Sequence, residues 1–226
     1  MNTTEHRSTS EPTSEPNAQS SPTPIPALLR AIDLATPLIA AAQAADPGLP
    51  TPCEAMPLGE LLPHVLAVGE RIVAMGQGHP ASSTPDHVVA PDGDYESAWT
   101  TAGQQAAVAW AGLALDGPVT VPWRQMTVAE AAAIYASEVV VHAWDLARSI
   151  GAHVAADDEL VAIATAAMHH ELPAEGRAEM FDELFAQFPE GAEWSHPFQA
   201  AVHTDAEAST LDRLVALTGR DPGWRP

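Results

Sequence analysis

The sequence predicts an all-α protein, built as a four-helix bundle with a small C-terminal extension. Apolar residues recur at helical spacing through most of the chain. Stretches rich in Gly, Pro and Asp separate these periodic segments. We find no internal repeat and no convincing pair of strands. We therefore expect helices packed on helices and no β-sheet.

The N-terminal half of the chain predicts a tail followed by two helices. Residues 1–24 are rich in Ser, Thr, Pro and Glu and lack aromatic residues, which is typical of a disordered tail. Helical spacing then predicts a first helix over residues 26–45. Pro57 suits the first turn of a second helix, which we expect to run to Gln77. The Gly-, Pro- and Asp-rich residues 78–93 form a loop with little structure of its own.

A third and a fourth helix are predicted beyond this loop. The third covers residues 95–115, and residues 117–123 form a short extended connection. Thr127 and Glu130 have the spacing of a capping box, which predicts the start of the fourth helix. That helix runs to Ile150, where a glycine follows, as is common after a helix end.

Shorter elements are predicted in the C-terminal part. A fifth helix covers residues 157–171, a short amphipathic piece covers 181–188, and a last helix lies near 206–218. We therefore divide the chain beyond the tail into a bundle domain, residues 25–172, and a small C-terminal region, residues 173–226.

Composition excludes several classes of partner. The formal charge is −21, and all nine basic residues are Arg. Because phosphate groups are bound by clustered Lys and Arg, we expect no nucleic acid and no anionic membrane as partner. The single cysteine fits a reducing compartment, and we find no signal sequence and no apolar run of the ~20 residues that a membrane span needs. We expect a soluble cytoplasmic protein; a homodimer is left open.

The fourth helix contains the first two candidate metal ligands. Glu138 and His142 are four residues apart and therefore lie on one face of the helix. Three consecutive valines, residues 139–141, lie between them, so this helix is apolar nearly all round and should be buried. A buried carboxylate must be paired, protonated or bound to a cation.

The second helix supplies a third candidate, His64, on an otherwise apolar face. Two histidines and one carboxylate suffice to bind zinc and leave a position open for water or substrate. The same set describes a facial triad for iron(II). We therefore predict one divalent metal ion, with zinc preferred, bound by His64, Glu138 and His142.

Each candidate also has an interpretation without a metal. His64 could be a hydrogen-bonded core histidine, and Glu138 could form an ion pair with Arg71 or Arg148. Arg71 lies two turns beyond His64, and it is either a solvated charge or a contact for an anionic group of a substrate.

Neighbouring residues have supporting interpretations. Asp145 and Trp144 are most simply structural, although Asp145 could orient His142 by a hydrogen bond. Cys53 is either a packing residue or a thiol near the site, and packing is favoured. No phosphate-binding glycine loop, serine nucleophile elbow or CxxC pair is present.

Three stretches resemble one known group of proteins, the mycothiol-dependent maleylpyruvate isomerase/DinB-like superfamily. TPCEAMPLGELLPHV is similar to its second-helix signature, with Met56 where the family has a Trp. EVVVHAWDLARSIG is similar to its second signature, and LDRLVALTGRDPGW resembles the ending of an actinobacterial subgroup. The matching residues of the two signatures are Thr51, Pro52, Cys53, Leu61, His64, Glu138, His142, Trp144, Asp145, Leu146 and Ala147.

This resemblance implies a DinB-like four-helix bundle with a metal bound by His64, Glu138 and His142, and chemistry on the thiol mycothiol. Our preferred hypothesis is a metal-dependent mycothiol transferase or isomerase that acts on a small electrophile, with Arg71 steering an anionic group. Two alternatives are a non-enzymatic module with a structural or sensory metal and a metal-dependent hydrolase.

Overall fold

A computed structural model of the chain describes residues 23–53, 56–173, 175–186 and 198–226. In these ranges the chain is mostly helical, as the sequence predicts, with seven α-helices and two short strands. The elements are α1 (Pro24–Ala42), α2 (Leu58–Gly76), α3 (Tyr95–Trp110), β1 (Pro118–Thr120), β2 (Gln125–Thr127), α4 (Val128–Ser149), α5 (Asp158–Glu171), α6 (Arg177–Phe185) and α7 (Thr210–Leu217).

The most buried helix is α4, which packs against α1, α2 and α5. Of its 22 residues, 17 are buried, which confirms the expectation from its nearly continuous apolar sequence. The other helices complete the packing, since α3 contacts both α1 and α2, and α7 contacts α5. The core of the molecule therefore surrounds the helix that carries Glu138 and His142.

Two glycines of α2 allow α3 to approach closely. A Cβ atom added to Gly69 would lie 2.9 Å from the Trp99 ring, and one added to Gly76 would lie 2.6 Å from the Trp110 ring. Both indole N–H groups donate to backbone carbonyls, that of Trp110 to Ile72 at 2.7 Å and that of Trp99 to a residue of α1 at 3.1 Å. These contacts fix the position of α2, the helix that carries His64.

The expectation that no strands pair is wrong in one place. Strands β1 and β2 pair antiparallel, with Pro118 opposite Thr127. Each strand has three residues and buries a single one, Val119 or Met126, so neither is long enough to show the alternation from which strands are predicted. Because β2 ends at Thr127, the N-cap of α4, the hairpin leads directly into the central helix.

The predicted caps agree with the structure. Thr127 and Glu130 form the expected capping box at the start of α4, and Pro57 lies at the N-cap of α2, one position before the first turn. The helix predicted to begin at residue 157 uses Asp157 as its N-cap. At these three helices the predicted start lies within about two residues of the observed one.

Other boundaries differ from the prediction. The third helix ends at Trp110 rather than at residue 115, and Gly112 then adopts a left-handed conformation with φ of 73°. The last helix begins at Thr210 rather than near residue 206, because Ser209 is the residue that caps it. Helix α6 starts before the amphipathic piece predicted over 181–188, whose last two residues lie outside the described residues.

The expected N-terminal tail lies almost wholly outside the described residues, which begin at residue 23. Its last residue, Pro24, already belongs to α1. By length and composition α1 could cross a membrane, although Arg30 and Asp33 interrupt its apolar sequence. Eight of its 19 residues are buried in the core, and a core helix of a soluble protein passes the same test.

Candidate metal centre

Helices α2 and α4 bring the three predicted ligands together. One donor atom from each of His64, Glu138 and His142 lies within 4.8 Å of the other two. The two imidazole rings approach edge to face, with their centroids 5.0 Å apart. His64 and Glu138 are 74 positions apart in the chain, so helical spacing alone does not bring them together. The packing of α2 against α4 does.

The orientation of His142 is fixed by Asp145. Nδ1 of His142 lies 3.0 Å from Oδ2 of Asp145, which is the contact that the sequence offered as an alternative to a purely structural role for Asp145. Burial raises the pKa of Asp145, but Arg220 and the hydrogen bond to His142 outweigh burial and hold that pKa below its usual value. An ionised carboxylate can only accept, so Nδ1 carries the proton and Nε2 keeps its lone pair for a metal.

His64 is held in the same tautomer by a backbone group. Its Nδ1 donates to the carbonyl oxygen of Asp86 at 3.1 Å, so Nε2 is again the nitrogen with a lone pair. Burial, His142 and Arg71 together lower the pKa of His64 to about 3. The ring is therefore neutral at pH 7, and a neutral imidazole is the form that ligates metals.

Glu138 lies half-buried beside these rings. The two arginines considered as its ion-pair partners are engaged elsewhere. Arg71 pairs with Asp86, and Arg148 donates to the carbonyl oxygen of Pro222 at 2.9 Å. The carboxylate thus remains a donor for a cation, together with two imidazole nitrogens.

Arg71 is not the solvated charge considered from the sequence, because the residue is only 8% exposed. Its Nη2 donates to the carbonyl oxygen of Pro85 at 3.1 Å and to the carboxylate of Asp86. Its Nε atom is buried and has no hydrogen-bond partner. Arg71 and His64 both bind Asp86, Arg71 at its carboxylate and His64 at its backbone carbonyl, so the guanidinium lies beside the donor cluster.

Cys53 lies half-buried and outside the three-residue donor cluster of the described chain. Its thiol contributes to the raised pKa of Arg220, so it is near that side chain. The described chain therefore offers three clustered donors rather than a closed set of four.

Sequence reasoning missed two residues that act on the histidines. Asp86 lies in the loop from which little structure was expected, and Arg220 lies beyond α7. Their contacts with His64 and Asp145 span 22 and 75 positions, so no helical periodicity could reveal them. Composition gave only a weak signal, because a very acidic chain offers each arginine many possible carboxylates and does not single out one.

The donor set fits a divalent transition metal. Two imidazoles and one carboxylate are typical of zinc sites that keep an open position, and of iron(II) facial triads. Comparison with known proteins adds no relative, because no family model, no curated protein sequence and no solved structure matches this chain. The resemblance to the DinB-like superfamily thus rests on its sequence motifs and stays a prediction.

Proposed function

We propose that this chain binds one divalent metal ion, most favourably zinc, through His64, Glu138 and His142, and uses it as a mycothiol-dependent transferase or isomerase. The proposal includes a DinB-like four-helix bundle, α1 to α4, as the scaffold. Its support is that α4 contacts α1 and α2 while α3 contacts the same two helices. The signature residues carry the likeness to the superfamily.

The observation that carries the metal proposal is the convergence of the three donor atoms within 4.8 Å. Two further features support it. Both histidines present Nε2, because their Nδ1 atoms are bound to fixed acceptors. Outer hydrogen bonds of this kind are a regular feature of histidines that ligate metals.

The proposed reaction uses a small thiol and an electrophilic substrate. Bound zinc would supply Lewis acidity and favour the thiolate, the nucleophilic form of a thiol. The protein's part is to hold the three ligands, to exclude water around α4, and to orient the electrophile. Arg71, which shares Asp86 with His64, would steer an anionic group of the substrate by its positive charge.

Metal content tests the first part of the proposal. We expect elemental analysis of the reconstituted wild type to give one zinc ion per chain, and His64→Ala to lose it. His87→Ala is the matched control, because the His87 ring lies 5.7 Å from that of His64 but outside the donor cluster. A wild type without stoichiometric metal after reconstitution would refute the site.

Titration of mycothiol into the cobalt-substituted protein tests the second part. We expect the visible spectrum to change as sulfur enters the open position, and no such change in the His64→Ala variant. If mycothiol leaves the spectrum unchanged, and the spectrum indicates four protein ligands, the metal is structural or sensory instead. Thiol transfer by metal-free protein at the rate of the metallated form would contradict the mechanism.

A further inference from the structure

The segment after α7, residues 218–226, reaches the candidate metal centre through Arg220. Nε and Nη2 of Arg220 contact the two carboxylate oxygens of Asp145, at 3.3 and 3.0 Å. Oδ2 of Asp145, which accepts the hydrogen bond from Nη2, also lies 3.0 Å from Nδ1 of His142. Arginine, aspartate and histidine therefore form one chain of contacts that ends on a proposed metal ligand.

We propose that Arg220 is a positioning residue of the metal centre, which fixes the direction of His142 by holding Asp145 at both oxygens. This inference rests on the proposed metal binding. It assigns part of the metal centre to the C-terminal region, outside the bundle that carries the three ligands.

The plane of the Asp145 carboxylate determines how its Oδ2 meets the His142 ring. The terminal torsion of an aspartate is broad, so a single hydrogen bond leaves its plane poorly defined. A two-pronged contact with a planar guanidinium fixes that plane, and thereby the direction from which Oδ2 meets the imidazole. Asp145 is 0% exposed, so solvent does not offer a substitute donor.

Arg220 is itself held in place and charged. Its Nη1 donates to the carbonyl oxygen of Thr218 at 3.2 Å, and Arg148 of α4 anchors the segment by donating to Pro222. Burial lowers the pKa of Arg220, but Asp145 and, more weakly, Glu138 raise it overall. A buried cation so placed is costly unless its partner is fixed, which indicates a role beyond filling space.

Cobalt binding by the full-length protein tests the proposal, with Arg220→Gln compared with wild type. We expect about 10- to 100-fold weaker binding in the variant, the usual effect of losing an outer contact to a metal-bound histidine. We also expect altered visible bands, because the position of one nitrogen ligand changes. A lysine restores the positive charge but lacks the planar fork that meets both Asp145 oxygens. We therefore expect Arg220→Lys to bind cobalt with intermediate affinity.

Arg177→Gln is the matched control. Arg177 is also a buried arginine of the C-terminal region, 4% exposed, but its hydrogen bonds go to backbone carbonyls of residues 173, 199 and 217. We expect this variant to melt at a lower temperature and to keep the wild-type cobalt affinity and spectrum. Equal weakening in both variants would attribute the effect to a loosened C-terminal region and overturn the proposal.

The remaining outcomes separate this proposal from the one on which it rests. Wild-type affinity and bands in folded Arg220→Gln would overturn the role of Arg220 and leave the metal site intact. If circular dichroism shows that Arg220→Gln does not fold, Arg220→Lys takes its place. Wild-type cobalt affinity and bands in Arg220→Lys would then overturn the role of Arg220. A wild type that binds no stoichiometric cobalt would refute the metal proposal itself.

Discussion

Each histidine of the donor cluster is held through Nδ1 by an aspartate that also binds a buried arginine, but the two aspartates act differently. Asp86 offers its backbone carbonyl to His64, so most side chains at position 86 would preserve that contact. Asp145 offers its carboxylate to His142, so the side chain itself is needed. His142 should therefore be the more sensitive of the two to nearby substitution.

Glu138→Gln distinguishes a ligand from a structural carboxylate. The substitution keeps the shape of a half-buried side chain and removes its charge, so we expect the metal-free protein to keep its free energy of unfolding within about 0.5 kcal/mol or to gain stability. We expect zinc affinity to fall by more than about 100-fold, beyond the effect of an outer contact.

Chelator competition measures that affinity, and urea unfolding of the metal-free protein measures stability. Glu70→Gln, an exposed carboxylate of α2, is the control and should change neither quantity. A metal-free Glu138→Gln protein destabilised by more than about 1 kcal/mol would instead show that Glu138 has a structural role.

The sequence predicted the three donors from helical spacing together with the family resemblance, and it left the Asp145 contact open as one of two interpretations. Glu138, His142 and Asp145 share one face of a helix, and His64 lies on a regular apolar face. The partner of Arg71 and the role of Arg220 were not predictable, because they follow from how a loop and a C-terminal segment dock on the helices.

At the scale of the elements, the contact between α2 and α3 depends on glycines that receive tryptophan rings. In Gly76→Ala the new methyl group would lie within 2.6–2.8 Å of Trp110 and Ala109. The Trp110 ring cannot turn away without breaking its hydrogen bond to Ile72. Overpacking by about 1–3 kcal/mol should exceed the gain of about 1 kcal/mol in helix propensity, so we expect net destabilisation.

Gly103→Ala is the comparison for this test. Its new methyl group would meet a single atom, Cγ2 of Ile32, at 2.9 Å, where that of Gly76→Ala meets three atoms at 2.6–2.8 Å. The smaller steric cost is offset by the gain of about 1 kcal/mol in helix propensity. We expect this variant to be near neutral in thermal unfolding, while Gly76→Ala melts several degrees lower. Equal melting temperatures would mean that the two helices separate freely at this contact.

The capping box of α4 predicts a pH dependence. The backbone N–H and then the hydroxyl of Thr127 bind the Glu130 carboxylate and lower its pKa below the usual 4.5. The native state thus binds this proton less readily than the unfolded chain. The resulting stabilisation is complete above pH 4.5 and is lost as the pH falls through the folded pKa.

Glutamine keeps an acceptor for the Thr127 N–H and removes the charge. We therefore expect Glu130→Gln to cost about 0.3–1 kcal/mol at pH 7, the scale of a charge at an exposed helix N-terminus, and less at pH 3. Urea unfolding of the wild type and the variant at pH 7 and at pH 3 measures the change in the free energy of unfolding. The control is Glu60→Gln in the first turn of α2, which has no side-chain cap. If the loss of stability in Glu130→Gln is as large at pH 3 as at pH 7, the effect comes from packing and not from the charge.

Helix starts were predictable at Thr127 and Asp157, whose side chains cap α4 and α5, but not at Ser209, which caps α7, a helix that begins four residues after its predicted start. Helix ends and the hairpin were less so, since apolar residues continue past Trp110 while the backbone turns at Gly112. The strands are shorter than the window over which alternation can be recognised. Tertiary contacts determine the helix ends and the hairpin, and local propensity carries no information about those contacts.

At the scale of the whole molecule, a formal charge of −21 repels itself and attracts cations generally. Raising the NaCl concentration from about 0.01 M to about 0.15 M shortens the screening length from about 30 Å to about 8 Å. We expect the melting temperature of the metal-free protein to rise over this range. A constant or falling value would show that exposed ion pairs, such as Arg30–Glu159, outweigh the net repulsion.

This general attraction for cations must be separated from binding at the proposed site. One equivalent of zinc adds almost nothing to the ionic strength at about 0.15 M NaCl, so screening predicts no further stabilisation. A ligand that binds only the native state raises the melting temperature by mass action. We therefore expect zinc to raise it in the wild type and His87→Ala but not in His64→Ala. An equal rise in His64→Ala would place the zinc on the acidic surface instead of between α2 and α4.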